Sequence, residues 1–170
     1  MKTLLILRHA KADKDPSYAT DHERPLTGRG RDAAAMVGWF LSRLEQAPDA
    51  IVSSTAVRAR ETAQRAAKAG GWECPVILDD GLYGTSAPQV LARIRDLDDA
   101  SSRVMLVGHE PVWSELAGQM IGGAALSFPT AALARIDLPI DVWSRADFGR
   151  GALVWLVTPR TLERFADRKS

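Results

Sequence analysis

Residues 2–9 have the sequence KTLLILRH, a short apolar run that ends in an arginine and a histidine. A continuous Leu- and Ile-rich run of this length is typical of a strand buried on both faces of a parallel sheet. The run therefore predicts a parallel sheet at the centre of the fold. The polar pair Arg8-His9 lies where this strand would end, which marks it as a candidate site.

The rest of the chain alternates between strand and helix. Thr27 can cap a helix that follows it, and Pro48 is expected to end this helix. The apolar residues between them recur at steps of three and one, which is typical of an amphipathic helix. This alternation predicts an α/β fold, a three-layer α/β/α sandwich with a mainly parallel sheet, and leaves the direction of the late strands open. Further strands are predicted at residues 50–52, 75–78, 104–107, 131–138 and 152–157, and further helices at residues 56–68, 86–95, 111–121 and 158–166.

Length and composition limit the class of protein. The 170 residues suit a single domain spanning residues 1–170, and 46% hydrophobic residues with 25% charged residues are ordinary for a globular chain. A net charge of +1 gives no reason to expect nucleic acid or an anionic membrane as partner. Cys74 is the only cysteine, and no apolar run has the length of a signal peptide or a membrane span. We therefore expect a cytoplasmic protein.

Three of the predicted strands end in polar residues. The pairs are residues 8–9, residues 53–54 ahead of Arg58, and residues 108–109, which include His109. Because ligands of open α/β sheets bind at the carboxyl ends of strands, we expect these groups to converge. Guanidinium groups pair with phosphate oxygens, and a neutral imidazole can attack phosphorus. The pattern predicts a site for a phosphoryl group.

The order and spacing of these motifs resemble the histidine phosphatase superfamily, and most of all its SixA-type phosphohistidine phosphatase branch. The resemblance implies a phosphoglycerate mutase-like fold, a phosphoryl group accepted by His9, and no metal or other cofactor. It also implies that Arg8, Arg58 and His109 hold the phosphoryl oxygens. The matching segments are Leu7-Arg8-His9-Ala10, Arg24-Pro25-Leu26-Thr27 with Gly30, Ser54 with Arg58-Ala59 and Thr62, and Gly108-His109.

The predicted mechanism follows from charge. With an unperturbed pKa of about 6.5, roughly three quarters of His9 is neutral at pH 7, and neighbouring arginines would raise that fraction. A protonated His109 would join the arginines in stabilising the transition state. Arg24, Ser54, Glu110 and Asp80 are the candidate substrate-binding residues. Arg24 has the alternative of pairing with Asp21 or Glu23, and His22 is expected to be exposed.

The substrate prediction rests on a missing acid. Superfamily members that hydrolyse phosphate esters often carry a glutamate that protonates the leaving oxygen. Residues 79–84 contain no glutamate, and Asp80 is the candidate stand-in. When the substrate is protonated phosphohistidine, its imidazole leaves as a neutral group and needs less assistance from a general acid. The expected substrate is therefore phosphohistidine on a phosphotransfer protein, with phosphate or sulfate as simple ligands of the site. No lid-sized segment is present, so the crevice should be open.

Three alternatives remain. The same chemistry could act on a small phosphate monoester or serve a mutase, or the fold could be a non-catalytic phospho-binding regulatory protein. Residues 28–33 fit a dinucleotide-binding G-x-G-x-x-A pattern, but they do not follow directly on a buried strand. Among the five tryptophans, Trp113 is the one placed to touch a ligand.

Overall fold

A computed structural model describes residues 1–166 of the chain. Its centre is a six-stranded sheet with the order β3-β2-β4-β1-β5-β6. The first four strands in this order are parallel, whereas β5 and β6 are antiparallel to their neighbours. The strands are β1 (Lys2–Arg8), β2 (Ala50–Ser54), β3 (Val76–Asp79), β4 (Arg103–Gly108), β5 (Leu133–Leu138) and β6 (Ala152–Val157).

Helices cover both faces of the sheet. Alternate residues of β1 face opposite sides, so that Leu4 and Ile6 pack into one core and Leu5 and Leu7 into the other. Helices α3 and α4 supply the first core, and α1, α2 and α5 supply the second. This arrangement confirms the three-layer α/β/α sandwich. The helices are α1 (Gly28–Arg43), α2 (Val57–Gly70), α3 (Ala87–Arg95), α4 (Val112–Met120) and α5 (Pro159–Ala166).

The ends of several elements differ from the predicted ones. Helix α1 ends at Arg43, well before Pro48, because Glu45 has a left-handed φ of 56° and Gln46 donates to the carbonyl oxygen of Leu41 at 2.8 Å, which closes the helix. Strand β2 continues through Ser54 because β3 and β4 both pair with it. Strand β5 begins at Leu133, since Ala131 has a φ of 58° and cannot join a strand.

Helices α1 and α2 lie unusually close to each other. A Cβ atom on Gly38 would lie 2.0 Å from the carbonyl oxygen of Ala66, so only glycine allows this contact. The close contact fixes α2, which carries Arg58 at its first turn. Among the helices of residues 1–166, none combines the length and apolar character of a membrane span.

Candidate active site

The carboxyl ends of three adjacent parallel strands open into one cavity. Strands β1 and β2 both pair with β4, so their last residues reach the same edge of the sheet. The cavity has a volume of about 560 Å³ and a mixed polar and apolar lining. Six of the sequence-predicted residues line it: Arg8, His9, Arg24, Arg58, His109 and Glu110.

His9 is buried and held in one orientation. Its Nδ1 lies 2.7 Å from the carbonyl oxygen of Ala10, and because a carbonyl oxygen only accepts, this geometry assigns the ring proton to Nδ1. The Nε of Arg58 donates to Nε2 at 3.3 Å. Thr62 fixes the loop, since its Oγ1 accepts from the backbone N–H of Ala10 at 2.9 Å. The lone pair of His9 is therefore on Nε2, on the side of the arginine.

Both site histidines are neutral at pH 7 in the ligand-free protein. Burial, followed by the charges of Arg58 and Arg8, lowers the pKa of His9 to about 4. Burial lowers the pKa of His109 to about 3, with further contributions from His9 and Arg58. The two rings lie 5.1 Å apart between centroids. His109 is neutral in the ligand-free site because a cation there would be buried beside His9 and an arginine. The protonated His109 expected from the sequence concerns the site with a phosphoryl group bound.

Ser54 contacts His109 from the protein interior. Its Oγ lies 2.8 Å from Nε2 of His109 and accepts from the backbone N–H of Ala56 at 3.3 Å. Ser54 is fully buried and does not line the cavity. The predicted direct contact of Ser54 with substrate therefore does not fit this geometry, which instead makes Ser54 a positioning residue for His109. The Nδ1 of His109 and the Nε of Arg8 are buried without a hydrogen-bond partner among residues 1–166.

Asp21 has a larger part in the site than the sequence indicated, where it was considered only as a possible partner of Arg24. The two terminal nitrogens of Arg58 donate to the backbone oxygen of Asp21 at 2.7 Å and to its Oδ2 at 2.9 Å. The Tyr83 hydroxyl donates to Oδ2 at 2.9 Å, and Arg24 donates to Oδ1 at 3.0 Å. Partial burial acts to raise the pKa of Asp21, but the bonds from Tyr83 and Arg58 outweigh it and lower the pKa overall. Asp21 thus connects two of the three arginines that line the cavity, Arg24 and Arg58.

Arg24 forms the second of its two predicted alternatives, the pair with Asp21. It also lines the cavity. His22, expected to be exposed, is half-buried, with Nε2 lying 3.0 Å from Oγ1 of Thr55 and its ring edge-on to Tyr83. The only sequence signal for Asp21 was its proximity to Arg24.

Asp80 and Trp113 lie outside the cavity lining. Asp80 begins a short 3₁₀ helix after β3 and is exposed there, while Tyr83 from the same turn reaches Asp21. Asp80 is therefore not part of the cavity, and its predicted substrate contact has no support from the cavity lining, because the turn directs the aspartate to solvent. Trp113 is fully buried in the core, where its Nε1 donates to the carbonyl oxygen of Leu7 at 2.9 Å.

Glu110 lines the cavity as an acceptor. Its two carboxylate oxygens accept from the backbone N–H and the hydroxyl of Ser114 at 2.7 and 2.8 Å, which satisfies the start of α4. The negative charge of the Glu110 carboxylate repels a phosphate oxygen. The substrate contact predicted for Glu110 is therefore not one with the phosphoryl group. Residues 1–166 contain no group of three or more His, Cys, Asp or Glu side chains that could hold a metal ion.

The glycines of residues 28–33 have a structural use. A Cβ on Gly30 would lie 2.1 Å from the backbone oxygen of Lys11, so this glycine permits close packing of α1 on the loop after β1. The N–H of Gly30 donates to the Thr27 side chain at 3.0 Å. The helix follows a loop instead of a strand, which is the wrong context for a dinucleotide site.

Comparison with known proteins agrees with this geometry. The family model of the histidine phosphatase superfamily (branch 1) matches residues 4–93. The uncharacterized protein Rv1276c of Mycobacterium tuberculosis is 35% identical over 165 residues, which cover 91% of this chain and 100% of that protein. A structure assigned as phosphohistidine phosphatase SixA from Agrobacterium tumefaciens is 30% identical, has a TM-score of 0.80, and matches over 93% of this chain and 98% of that one.

Other solved structures share the fold at lower identity. The protein histidine phosphatase SixA complexed with tungstate has a TM-score of 0.82 at 23% identity, over 94% of this chain and 99% of that one. Phosphatases of alpha-ribazole-5'-P and of glucosyl-3-phosphoglycerate share it at 17% and 19% identity. The family match and the fold of the SixA structures together show that the chain belongs to the histidine phosphatase superfamily, in its SixA-type branch, and is a phosphatase of that superfamily.

Proposed function

We propose that this phosphatase removes the phosphoryl group from phosphohistidine on a partner protein, through a phosphorylated His9 and without a metal ion. The observation that carries the proposal is the state of His9: neutral at pH 7, with its lone pair on Nε2 and that nitrogen beside the Arg58 guanidinium in the cavity. A neutral imidazole is a nucleophile without help from a base.

In the first step, Nε2 of His9 forms a bond to phosphorus as the P–N bond of the substrate breaks. The substrate imidazole leaves neutral when it departs from protonated phosphohistidine. His9 then carries phosphorus on Nε2 and its proton on Nδ1, so its ring is cationic. The Ala10 carbonyl, 2.7 Å from Nδ1, stabilises this cation.

In the second step, water attacks the phosphorus of phospho-His9. The new P–O bond replaces the P–Nε2 bond, the water proton leaves with the phosphate or to solvent, and His9 returns to its neutral Nδ1–H form. Arg8 and Arg58 line the cavity and stabilise the charge on the equatorial oxygens in both steps. A bound phosphoryl dianion would also favour a proton on His109.

The lack of a suitable acid favours phosphohistidine over a phosphate ester. Glu110 is the one carboxylate in the cavity lining formed by residues 1–166, and both of its oxygens already accept hydrogen bonds. A general acid typically contributes about 10²- to 10⁴-fold for an alkoxide leaving group, whereas a protonated phosphohistidine gains little from one. Hydrolysis of a small phosphate ester in this site would lack the rate increase that a general acid provides.

The test compares phosphate release from a phosphohistidine-bearing phosphotransfer protein and from an aryl phosphate, with and without EDTA. The proposal expects kcat/KM for the phosphoprotein to exceed that for the ester, no effect of EDTA, and loss of both activities in His9→Ala. Preference for the ester would move the function to small-molecule hydrolysis. Inactivity of the wild type on both substrates would favour the non-catalytic phospho-binding alternative.

A further inference from the structure

A lateral groove adjoins the active-site cavity. A smaller cavity of about 150 Å³ shares Lys11 and Thr130 with the active-site cavity. It shares Arg29, Pro159 and Glu163 with an outer cavity of about 540 Å³. Because each of these cavities shares lining residues with the next, the three lie side by side. We define the lateral groove by Lys11, Arg29, Thr130, Pro159, Arg160 and Glu163.

The charge of the lateral groove is mostly positive. It carries Lys11, Arg29 and Arg160 against the single carboxylate of Glu163, and Lys14 adds a further cation where the groove meets the active-site cavity. The whole chain has a net charge of only +1, so this concentration is local. Within residues 1–166, none of these four cations forms an ion pair, although seven other ion pairs are present there.

The three cations of the lateral groove lie on three different elements of the fold. Lys11 follows β1, Arg29 is in the first turn of α1, and Arg160 is in the first turn of α5. All three side chains are exposed. A buried second anion site for a small molecule would need convergent, desolvated polar groups. Exposed cations spread along an open groove instead suit attraction of a macromolecule that carries carboxylates.

We propose that the lateral groove binds an acidic segment of the protein that carries the phosphohistidine, beside the residue being dephosphorylated. This inference rests on the proposed function of the site and adds the part of the surface that selects the partner. The acidic side chains would lie along Lys11, Arg29 and Arg160 while the phosphorylated imidazole enters the cavity. The groove thereby raises the association rate for acidic phosphoproteins and leaves small phosphorylated compounds unaffected.

The test uses the double variant Arg29→Glu/Arg160→Glu, since neither residue lines the active-site cavity. The matched control is Arg65→Glu/Lys68→Glu, which reverses two exposed charges on α2 away from the groove. Turnover is measured on an acidic phosphohistidine-bearing phosphotransfer protein and on free phosphohistidine. Binding of the same phosphotransfer protein is measured separately by titration calorimetry in the His9→Ala background.

The proposal expects the groove variant to lose about tenfold or more in kcat/KM for the phosphoprotein at low salt, with free phosphohistidine changed less than about twofold. The loss should shrink at about 0.5 M NaCl, and the control should match wild type. Equal losses on both substrates, or no loss on the phosphoprotein, would overturn the groove assignment.

The binding measurement separates the two proposals. If the groove variant weakens binding of the phosphotransfer protein but the wild type does not dephosphorylate it, the groove is right and the proposed function is wrong. If the wild type dephosphorylates it and the groove variant binds it as wild type does, the proposed function stands and the groove assignment fails. A groove variant that loses activity on free phosphohistidine but not on the phosphotransfer protein would also overturn the groove assignment.

Discussion

Lowering the pH from 7 to 5 should leave His9 almost entirely neutral. With a pKa of about 4 in the folded protein, about 91% of His9 is neutral at pH 5. An unperturbed histidine with a pKa of about 6.5 would be only about 3% neutral there. The roughly thirtyfold difference in neutral fraction comes mainly from burial, with Arg58 and Arg8 adding to it.

The assay is a pH titration of the ¹⁵N-labelled imidazoles by NMR in the ligand-free protein. It resolves the three histidines and reports which ring nitrogen carries the proton. We expect His9 in the Nδ1–H form from pH 7 to pH 5. In Arg58→Met the pKa of His9 should rise but stay below 6.5, because burial is the larger cause. A wild-type pKa near 6.5, or a proton on Nε2, would refute the assignment of a neutral nucleophile.

The same pKa shifts predict how stability depends on pH. Since the folded-state pKa values of His9 and His109 lie below the unfolded value of about 6.5, the unfolded chain binds more protons as the pH falls from 6.5 towards 4. Each histidine should therefore lower the free energy of unfolding by about 2 kcal/mol between pH 7 and pH 5. Urea unfolding of His9→Gln/His109→Gln should show a flatter dependence, and an unchanged one would contradict the reasoning.

Two substitutions test the site and the packing beneath it. Arg58→Ala should lower kcat by about 10²- to 10³-fold, because the arginine would no longer stabilise the transition state. The control variant Arg65→Ala, at an exposed position, should keep a kcat near that of the wild type. A loss under about tenfold in Arg58→Ala, with the fold intact by circular dichroism, would argue against contact between Arg58 and the phosphoryl group. Gly38→Ala should cost about 3 kcal/mol in urea unfolding because its Cβ would meet the backbone oxygen of Ala66. Gly28→Ala is the control, because its Cβ would meet only the end of the Arg31 side chain, at 3.8 Å. Equal stabilities of the two variants would contradict the packing argument.

The parts of the fold set by local pattern could be predicted from the sequence. The apolar run of β1 and the polar residues at the ends of β1, β2 and β4 were enough to predict the sheet and the cavity. Parallel pairing alone brings Arg8 in register with Gly108, next to His109. For this reason the sequence could predict that the residues directly after these strands lie at the same edge of the sheet.

The residues that reach the site from irregular turns could not be predicted in the same way. Asp21 and Tyr83 lie 62 positions apart, each in or beside a 3₁₀ turn without periodicity, and they meet only through tertiary packing. Asp80 has the right chemistry for an acid, but the turn after β3 directs it to solvent. The neutral state of His109 in the ligand-free protein could not be predicted, because its pKa depends first on burial, which only the packed structure defines.

The most direct test of the central claim is to trap the phosphoenzyme. The protein is mixed with a ³²P-phosphohistidine phosphotransfer protein, quenched in alkali within milliseconds, digested and sequenced by mass spectrometry. The account predicts an alkali-stable, acid-labile phosphoryl group on His9 that is absent from His9→Ala but formed in Arg65→Ala. Phosphate release without a labelled intermediate, or a label on any other residue, would contradict it.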